Sequence, residues 1–279
     1  PEKVSVLMST YNRREFLPAA IASVLAQSYA NLELVLVNDG GVDVADIVAQ
    51  QQDGRIKLVE LDRRRGKPYA INRAYEQSSG SFVAHLDDDD IWYTDHLARL
   101  MLPLLTMPSV QLAYSDAYNV TQERDAAGGY VETERKLVHH QQVLFTDLLA
   151  RNHIQGISVV HRRELFERAG WMDEHLKVLI DWDLWRRLAA LAYPYHVSRI
   201  TADHFLREEH GTDGAGHITH LIRHNPVRYA QMARRVMKKD PPCALTEDQA
   251  TLLDELRKRA DYIFLKAVAA HYQARGRLD

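Results

Sequence analysis

The sequence predicts an α/β fold, with a mostly parallel sheet flanked by helices and a helical extension at the C-terminus. Two observations predict it. Short β-branched runs alternate with segments of helical periodicity over the first part of the chain, which is the pattern of βαβ units. Near residue 217 this alternation stops, and a basic segment with helical spacing of apolar residues follows. We therefore expect a domain over 1–216 and a helical extension over 217–279.

The predicted strands cover residues 4–8, 32–37, 56–60, 81–86 and 110–114, and helices are predicted near 15–27, 43–52, 68–78 and 94–106. Parallel sheets of this kind bind ligands at the carboxyl ends of their strands. Polar stretches follow the first, second and fourth strands, namely Ser9 to Asn12, Asn38 to Gly41 and the aspartates at 87–90. We expect a ligand site where these three stretches meet.

The second half of the chain begins with a polar excursion. Residues 115–150 contain the turn signal AAGGY, which predicts a hairpin or a long loop. The run GISVV then predicts a strand, and residues 181–192 read as a helix. Two prolines at 241–242 separate two basic helices in the extension.

Composition places the chain among ordinary soluble globular proteins, with 46% hydrophobic and 26% charged residues in 279. The sequence contains no apolar run of the roughly 20 residues that a membrane span needs, and its first residues lack a signal-peptide layout. The single Cys243 leaves no internal disulfide to form. We expect a cytoplasmic protein, and the start at Pro1 suggests a domain of a longer polypeptide.

Charge is unevenly distributed. Residues 217–279 hold 12 Lys/Arg and 7 Asp/Glu, so this segment carries +5 and the remainder carries −8 of the net −3. A solvated helical face explains such a segment, and so does contact with an anionic membrane surface, another domain or a second copy. Nucleic-acid binding lacks support because no aromatic residues are interleaved with these basic residues as a stacking platform.

The stretch FVAHLDDDDIW places four aspartates directly after a buried strand. Their mutual repulsion requires a cation or hydrogen-bond donors to offset it. On an ending strand, Asp87 and Asp89 would face one side and Asp88 and Asp90 the other. Such carboxylates are hard ligands suited to Mg²⁺ or Mn²⁺. The alternative is a solvated acidic turn in which Asp90 or Asp95 stabilises the next helix.

Four segments in order, VSVLMSTYNR, ELVLVNDGG, RGKPYAINRAY and GSFVAHLDDDD, resemble the N-terminal half of the inverting family 2 glycosyltransferases. The resemblance covers roughly residues 3–210. It implies the GT-A fold, a Rossmann-like sheet with a nucleotide-sugar-binding half over 1–114 and an acceptor-side half over 115–216.

The resemblance also implies roles for the polar residues after the first two strands. Thr10, Tyr11 and Asn12 would line the nucleotide, and Asp39 would accept a hydrogen bond from its base. Packing of Tyr11 in the core is an alternative. Asp39 and the glycines after it could equally form only a turn.

In the family pattern, Asp87 and Asp88 would lie near the ribose and the metal, and Asp89 would bind a divalent ion that bridges the diphosphate. The segment RRRGKPYAIN departs from that pattern because Ile71 stands where Arg is common, before Asn72. Arg65 or Lys67 would supply the positive charge at the phosphates instead. A solvated basic loop is the plainer alternative.

The run GWMDEHLKVLIDWDLWRRLA resembles the family region that carries the catalytic base, which falls on Asp181. Ile180 replaces a commonly acidic neighbour. Asp183 is the rival for the base, although the two aspartates lie about 200° apart around a helix and cannot both face one substrate. Either aspartate could instead only stabilise the helix N-terminus.

Several further residues are implied at the site. Arg207 and His210 resemble a stretch near the diphosphate, where His210 could bind the metal. Core packing is expected for Trp185, and Trp182 could pack there or offer a face to a sugar. The acceptor side would be bordered by His153, Gln155, Gly156 and Ser158.

Together with the acidic run, the resemblance implies an inverting glycosyltransferase that uses Mn²⁺ or Mg²⁺ and moves a sugar from a nucleoside-diphosphate sugar, a UDP-sugar above all. Its acceptor would be a hydroxyl on a glycan, or on a lipid- or protein-linked glycan, as in bacterial surface polysaccharide synthesis. The C-terminal helices could hold it at the inner face of a membrane. The alternatives are a metal-dependent nucleotidyltransferase and a non-catalytic binding module with a degenerate site.

Overall fold

A computed structural model describes residues 2–138, 141–207 and 225–273. The strands in this part of the chain are β1 Val4–Thr10, β2 Leu32–Asn38, β3 Ile56–Glu60, β4 Phe82–His85, β5 Ile91–Trp92, β6 Leu112–Arg124, β7 Tyr130–Val138, β8 Val159–Arg162 and β9 Pro194–Arg207. The helices are α1 Leu17–Leu25, α2 Ala45–Gln51, α3 Lys67–Glu76, α4 His96–Thr106, α5 Phe145–Ala150, α6 Arg163–Ala169, α7 Ile180–Leu191, α8 Pro226–Lys238 and α9 Glu247–Gln273.

The strands form one sheet in the order β3-β2-β1-β4-β8-β6-β9-β5, with β7 paired to β6. β1, β2, β3 and β4 are mutually parallel, as the βαβ pattern predicted. Beyond β4 the pairs are mixed: β8 is antiparallel to β4 and β6, whereas β6 and β9 are parallel. The predicted excursion after residue 115 is the β6–β7 hairpin.

Hydrophobic clusters cover both faces of the sheet. Val6 and Met8 point to the face covered by α1 and α4, and Leu7 points to the face covered by α3 and α7. This alternation along β1 is the period of a strand, and burial on both faces explains why the run is almost wholly apolar.

The parallel half of the sheet brings three strand ends together. Thr10 at the end of β1 is in register with Asn38 at the end of β2, and Leu7 pairs with His85 at the end of β4. The polar stretches that follow these strands therefore meet at one edge, as the sequence predicted.

The two C-terminal helices begin at recognisable caps. The side chain of Asn225 accepts a hydrogen bond from the amide of Arg228, and Pro226 occupies the first turn of α8. Before α9, Thr246 and Gln249 exchange hydrogen bonds as a capping box. Val236 of α8 packs against Leu176, Leu179 and Trp182, so the extension lies beside the start of α7. No helix in the described part of the chain is both long and apolar enough to cross a membrane.

Candidate active site

A cavity of about 520 Å³ opens at the carboxyl ends of β1, β2 and β4. Seven of the residues that the sequence placed at the nucleotide or metal line this cavity: Thr10, Tyr11, Asp39, Lys67, Asp87, Asp88 and Asp89. The chain therefore folds the dispersed motifs of its first half into one concave surface.

Asp39 organises one wall of this cavity. Its two carboxylate oxygens accept hydrogen bonds from the backbone amides of Arg65 and Gly66, each at 2.7 Å. Gly66 has a φ of +101°, a conformation that a residue with a side chain rarely adopts. These two hydrogen bonds fix the loop before α3, and the basic side chains of that loop face the cavity.

Cations surround the aromatic and acidic groups of the cavity. The guanidinium of Arg64 lies 4.2 Å from the ring centre of Tyr11, and that of Arg65 lies 4.2 Å from the ring of Tyr69. The ammonium of Lys67 contacts both carboxylate oxygens of Asp87, at 2.5 and 2.6 Å. This loop therefore supplies the positive charge that an anionic ligand requires.

The four aspartates form a turn after β4 rather than a continuation of the strand. The amide of Asp90 donates to the carbonyl of Asp87, which closes the turn. As a result, carboxylate oxygens of Asp87, Asp89 and Asp90 lie within 4.8 Å of one another. The predicted placement of Asp90 on the opposite side from Asp87 and Asp89 was wrong, because the alternation of a strand ends with β4 at His85.

The charges of the four carboxylates are offset in different ways. Burial alone would raise the pKa of Asp87, but Lys67 lowers it. Burial and the neighbouring charge of Asp89 raise the pKa of Asp88 to about 7. Arg13, which the sequence analysis did not single out, lies 3.4 Å from a carboxylate oxygen of Asp88 and 3.1 Å from one of Asp89.

Asp90 is held by β9. It accepts hydrogen bonds from His204 at 2.9 Å and from the amide of Phe205 at 2.8 Å. Burial raises the pKa of Asp90 to about 6; the pKa of His204, despite its burial, is raised to about 9 by that carboxylate. Both oxygens of Asp90 are therefore engaged. His204 lines the cavity but lies in no motif that would have identified it.

The acidic cluster fits a divalent cation. Aspartate oxygens are the ligands that Mg²⁺ and Mn²⁺ prefer. Oδ2 of Asp89 is buried and receives no well-aligned hydrogen bond from the described residues, although the guanidinium groups of Arg13 and Arg207 lie 3.1 and 3.5 Å from it. Asp90 is already bonded to β9, and both oxygens of Asp87 contact Lys67, so Asp89 is the carboxylate best placed to hold such an ion, and Asp87 would join it by exchanging its contact with Lys67 for the metal. His210, predicted as a third ligand, lies outside the described residues.

Three predicted contacts lie away from the cavity lining. Asn12 accepts a hydrogen bond from the amide of Val42 and so stabilises the turn after β2. Asn72 is buried, and its side chain bonds to both backbone groups of Met172 and to Glu174. Arg207 donates to the backbone carbonyl of Asp89 and so lies behind the aspartate turn.

A second cavity, of about 820 Å³, adjoins the first and contains Asp181. Asp181 occupies the first turn of α7, and one of its carboxylate oxygens accepts a hydrogen bond from Asn152 at 2.7 Å. Burial raises its pKa. Gly156 leaves room beside the carboxylate, since a Cβ there would lie 3.7 Å from Oδ2 of Asp181. Asp181 is thus a half-buried carboxylate that faces an open space.

Asp183 points away from that cavity. It is 1% exposed and accepts hydrogen bonds from Lys239 at 2.6 Å and from Arg187 at 2.7 Å. The predicted separation of the two aspartates around the helix therefore agrees with the structure.

The other acceptor-side residues also have clear places. Trp185 is buried in the core as predicted, and Trp182 is buried with its ring nitrogen donating to the carbonyl of Leu148. Gln155 and Gly156 line the second cavity. His153 and Ser158 are buried and do not line it.

Comparison with known proteins identifies a family and relatives for most of this chain. The sequence profile described as glycosyl transferase family 2 matches residues 5–167. A relative from Escherichia coli, the UDP-Glc:alpha-D-GlcNAc-diphosphoundecaprenol beta-1,3-glucosyltransferase WfgD, is 31% identical over 183 residues, which cover 65% of this chain and 68% of the relative.

Solved structures share the fold. TarS of S. aureus, residues 1–349 in complex with UDP, superposes with a TM-score of 0.63 over 97% of this chain and 72% of that one, at 17% identity. The mannosyltransferase PcManGT from Pyrobaculum calidifontis, in complex with GDP-Man and Mn2+, gives 0.61 over 97% of this chain and 75% of that one, at 21% identity.

Proposed function

This chain belongs to glycosyl transferase family 2, and from that premise we propose that it transfers a sugar from a UDP-sugar to a hydroxyl acceptor with inversion at the anomeric carbon. One observation carries the proposal. The cavity at the aspartate turn and the cavity at Asp181 share the lining residues Lys67, Asp87, Lys177 and His204. A donor in the first cavity and an acceptor in the second would therefore meet at Lys67 and Asp87.

The first cavity suits a nucleoside diphosphate. Tyr11 offers an aromatic ring for a base, and Asp39 retains acceptor capacity on its carboxylate while it holds the basic loop. Arg64, Arg65 and Lys67 face the same space and would balance the diphosphate charge. The name of the E. coli relative, which specifies UDP-Glc, supports UDP as the nucleotide.

Asp87 and Asp89 would hold a divalent cation, Mg²⁺ or Mn²⁺, in this cavity. When bound, the ion would neutralise the negative charge that grows on the departing diphosphate. Lys67 contacts Asp87 directly and would add a second positive charge near the departing diphosphate.

Asp181 would act as the general base. The acceptor oxygen attacks the anomeric carbon, the bond from that carbon to the diphosphate oxygen breaks, and the acceptor proton moves to the carboxylate of Asp181. Burial favours this transfer because it raises the pKa of the carboxyl group and so makes the carboxylate a stronger base. Asn152 orients the carboxylate through its hydrogen bond.

Two variants should distinguish UDP binding from catalysis. We expect UDP to bind in calorimetry with Mn²⁺ present, and Asp89→Ala to lose this binding as EDTA does. Asp95→Ala is the matched control, because Asp95 directly precedes α4 and forms an exposed ion pair with Arg99. This variant should bind UDP as the wild type does. Asp181→Asn should keep UDP binding and lose product formation by roughly a thousandfold.

The results also discriminate among mechanisms. A non-catalytic module would bind UDP yet form no product from any UDP-sugar, with or without Asp181. Undiminished transfer in Asp181→Asn would exclude this residue as the base.

A further inference from the structure

The second cavity has a polar end and an apolar end. Lys67 and His204 line both cavities, and Asp181, whose charge acts on Lys67, lies with them at the polar end. Residues 150–157 form one wall, and the remaining lining, from residues 178–180 and the two C-terminal helices, is mainly apolar. It includes Val178, Ile180, Tyr229, Met237, Leu256 and Ile263. The candidate base therefore stands at the mouth of an apolar groove.

Small side chains keep this groove open. Ala230 and Ala233 of α8 and Ala260 of α9 line it. Ile263 lines the groove yet remains 49% exposed, so its side chain is available to a ligand. A groove with this lining favours an apolar occupant because burying its surface gains about 25 cal/mol per Å².

Away from the polar end, the charged residues that line the groove are cationic. Among the described lining residues, the acidic ones are Asp87, which also lines the first cavity, and Asp181. Lys177 lines both cavities, and Arg151 and Arg259 contribute cationic side chains to the walls of the second cavity alone. Such a wall complements a phosphate placed between a sugar at Asp181 and an apolar group farther along.

We infer that the acceptor is amphipathic: its sugar hydroxyl reaches Asp181, a phosphate lies near Arg151 or Arg259, and an alkyl or isoprenoid chain lies along α8 and α9. The inference rests on the proposed function, since it names the acceptor class of that site. It also assigns the C-terminal extension a direct role as the wall of the acceptor site. A purely carbohydrate acceptor would gain nothing from this apolar surface.

The inference can be tested by binding alone. Alkyl phosphates from ethyl to dodecyl, each kept below its micelle concentration, are titrated into the full chain with saturating UDP and Mn²⁺, so that the donor cavity is filled. Affinity should rise with chain length by up to about fourfold per added methylene until the groove is full. Equal affinities for ethyl and dodecyl phosphate would overturn the inference.

Matched variants locate the binding surface. Ile263→Ser should weaken dodecyl phosphate binding about fivefold. Leu265→Ser removes a similar apolar side chain that is 63% exposed and does not line the groove, so it should bind as the wild type does. Ala233→Phe should occupy the groove and abolish the dependence on chain length. Equal weakening by Ile263→Ser and Leu265→Ser would refute a specific groove.

The same samples keep the two proposals apart. UDP titrations that show no binding would refute the donor site and hence the proposed transferase. Normal UDP binding without a chain-length effect would refute only the amphipathic acceptor. Light scattering that showed a dimer broken by Ile263→Ser would assign this surface to a second copy of the chain and would likewise overturn the inference.

Discussion

Asp183 offers a sharp test of which aspartate on α7 has a structural role. Its carboxylate is 1% exposed and contacts Lys239 at the end of α8 and Arg187 one helical turn later. Substituting Asn preserves the shape of the side chain but removes its negative charge. The two cations would then lose their shared partner, and the join between α7 and the C-terminal extension would weaken.

The magnitude follows from the burial of the three groups. Removing one partner of a buried ion pair costs about 3–5 kcal/mol. Lys239 is 27% exposed and keeps Asp173 at 2.7 Å, and Arg187 is 12% exposed, so water and Asp173 stabilise part of the charge that remains. We therefore expect Asp183→Asn to lower the free energy of unfolding by about 3 kcal/mol, the lower end of that range, which corresponds to a decrease in Tm of about 5 °C for a chain of this length.

Urea unfolding followed by tryptophan fluorescence measures the loss, and product formation per folded molecule measures activity. Asp254→Asn is the matched control because Asp254 forms an exposed ion pair with Lys258, and it should change stability by less than about 0.5 kcal/mol. Asp183→Asn should retain activity within a few fold once folded. A stable but inactive Asp183→Asn protein would refute our assignment of Asp181 as the base.

Two further predictions concern residues behind the site. Burial lowers the pKa of His96 to about 3 from the usual 6.5, so the folded state holds it neutral and its contribution to stability is lost as pH falls below 6.5. His96→Phe keeps a ring against Trp92, and from pH 7.5 to pH 5 it should lose about 2 kcal/mol less stability than the wild type in urea unfolding. An identical pH dependence in the two proteins would contradict this. Asn72→Ala should cost about 2 kcal/mol because it removes buried hydrogen bonds to Met172, yet leave UDP affinity unchanged in calorimetry. A tenfold loss of UDP affinity with normal stability would instead make Asn72 a nucleotide contact.

Asn72 shows why a motif position does not by itself give a role. Its place in RGKPYAINRAY suggested the nucleotide, but on α3 its side chain faces the segment around Met172 about 100 residues later. That partner is distant in the chain, so no local pattern reveals it. Asn12 is similar: its side-chain oxygen accepts a hydrogen bond from the amide of Val42, so a residue after β1 is bonded to the turn after β2.

Residues that local patterns did not mark became important through the same kind of distant contact. Arg13 reaches Asp88 and Asp89 from the loop after β1, and His204 reaches Asp90 from β9. A basic residue in a loop or a histidine in a strand is common, and only the paired strands show what each one faces. The pattern of charge around the aspartates is therefore a tertiary property.

The sequence by itself determined the parallel half of the sheet, the edge at which the site forms and the family to which the chain belongs. It could do so because hydrophobic periodicity and strand-end motifs are local properties. Only the tertiary structure decided that Asp90 is held by His204, that Asp183 is bound in an ion pair and that the C-terminal helices line a groove beside Asp181. Those facts depend on which distant surfaces pack together and exclude water, and packing of that kind leaves no local signal in the chain.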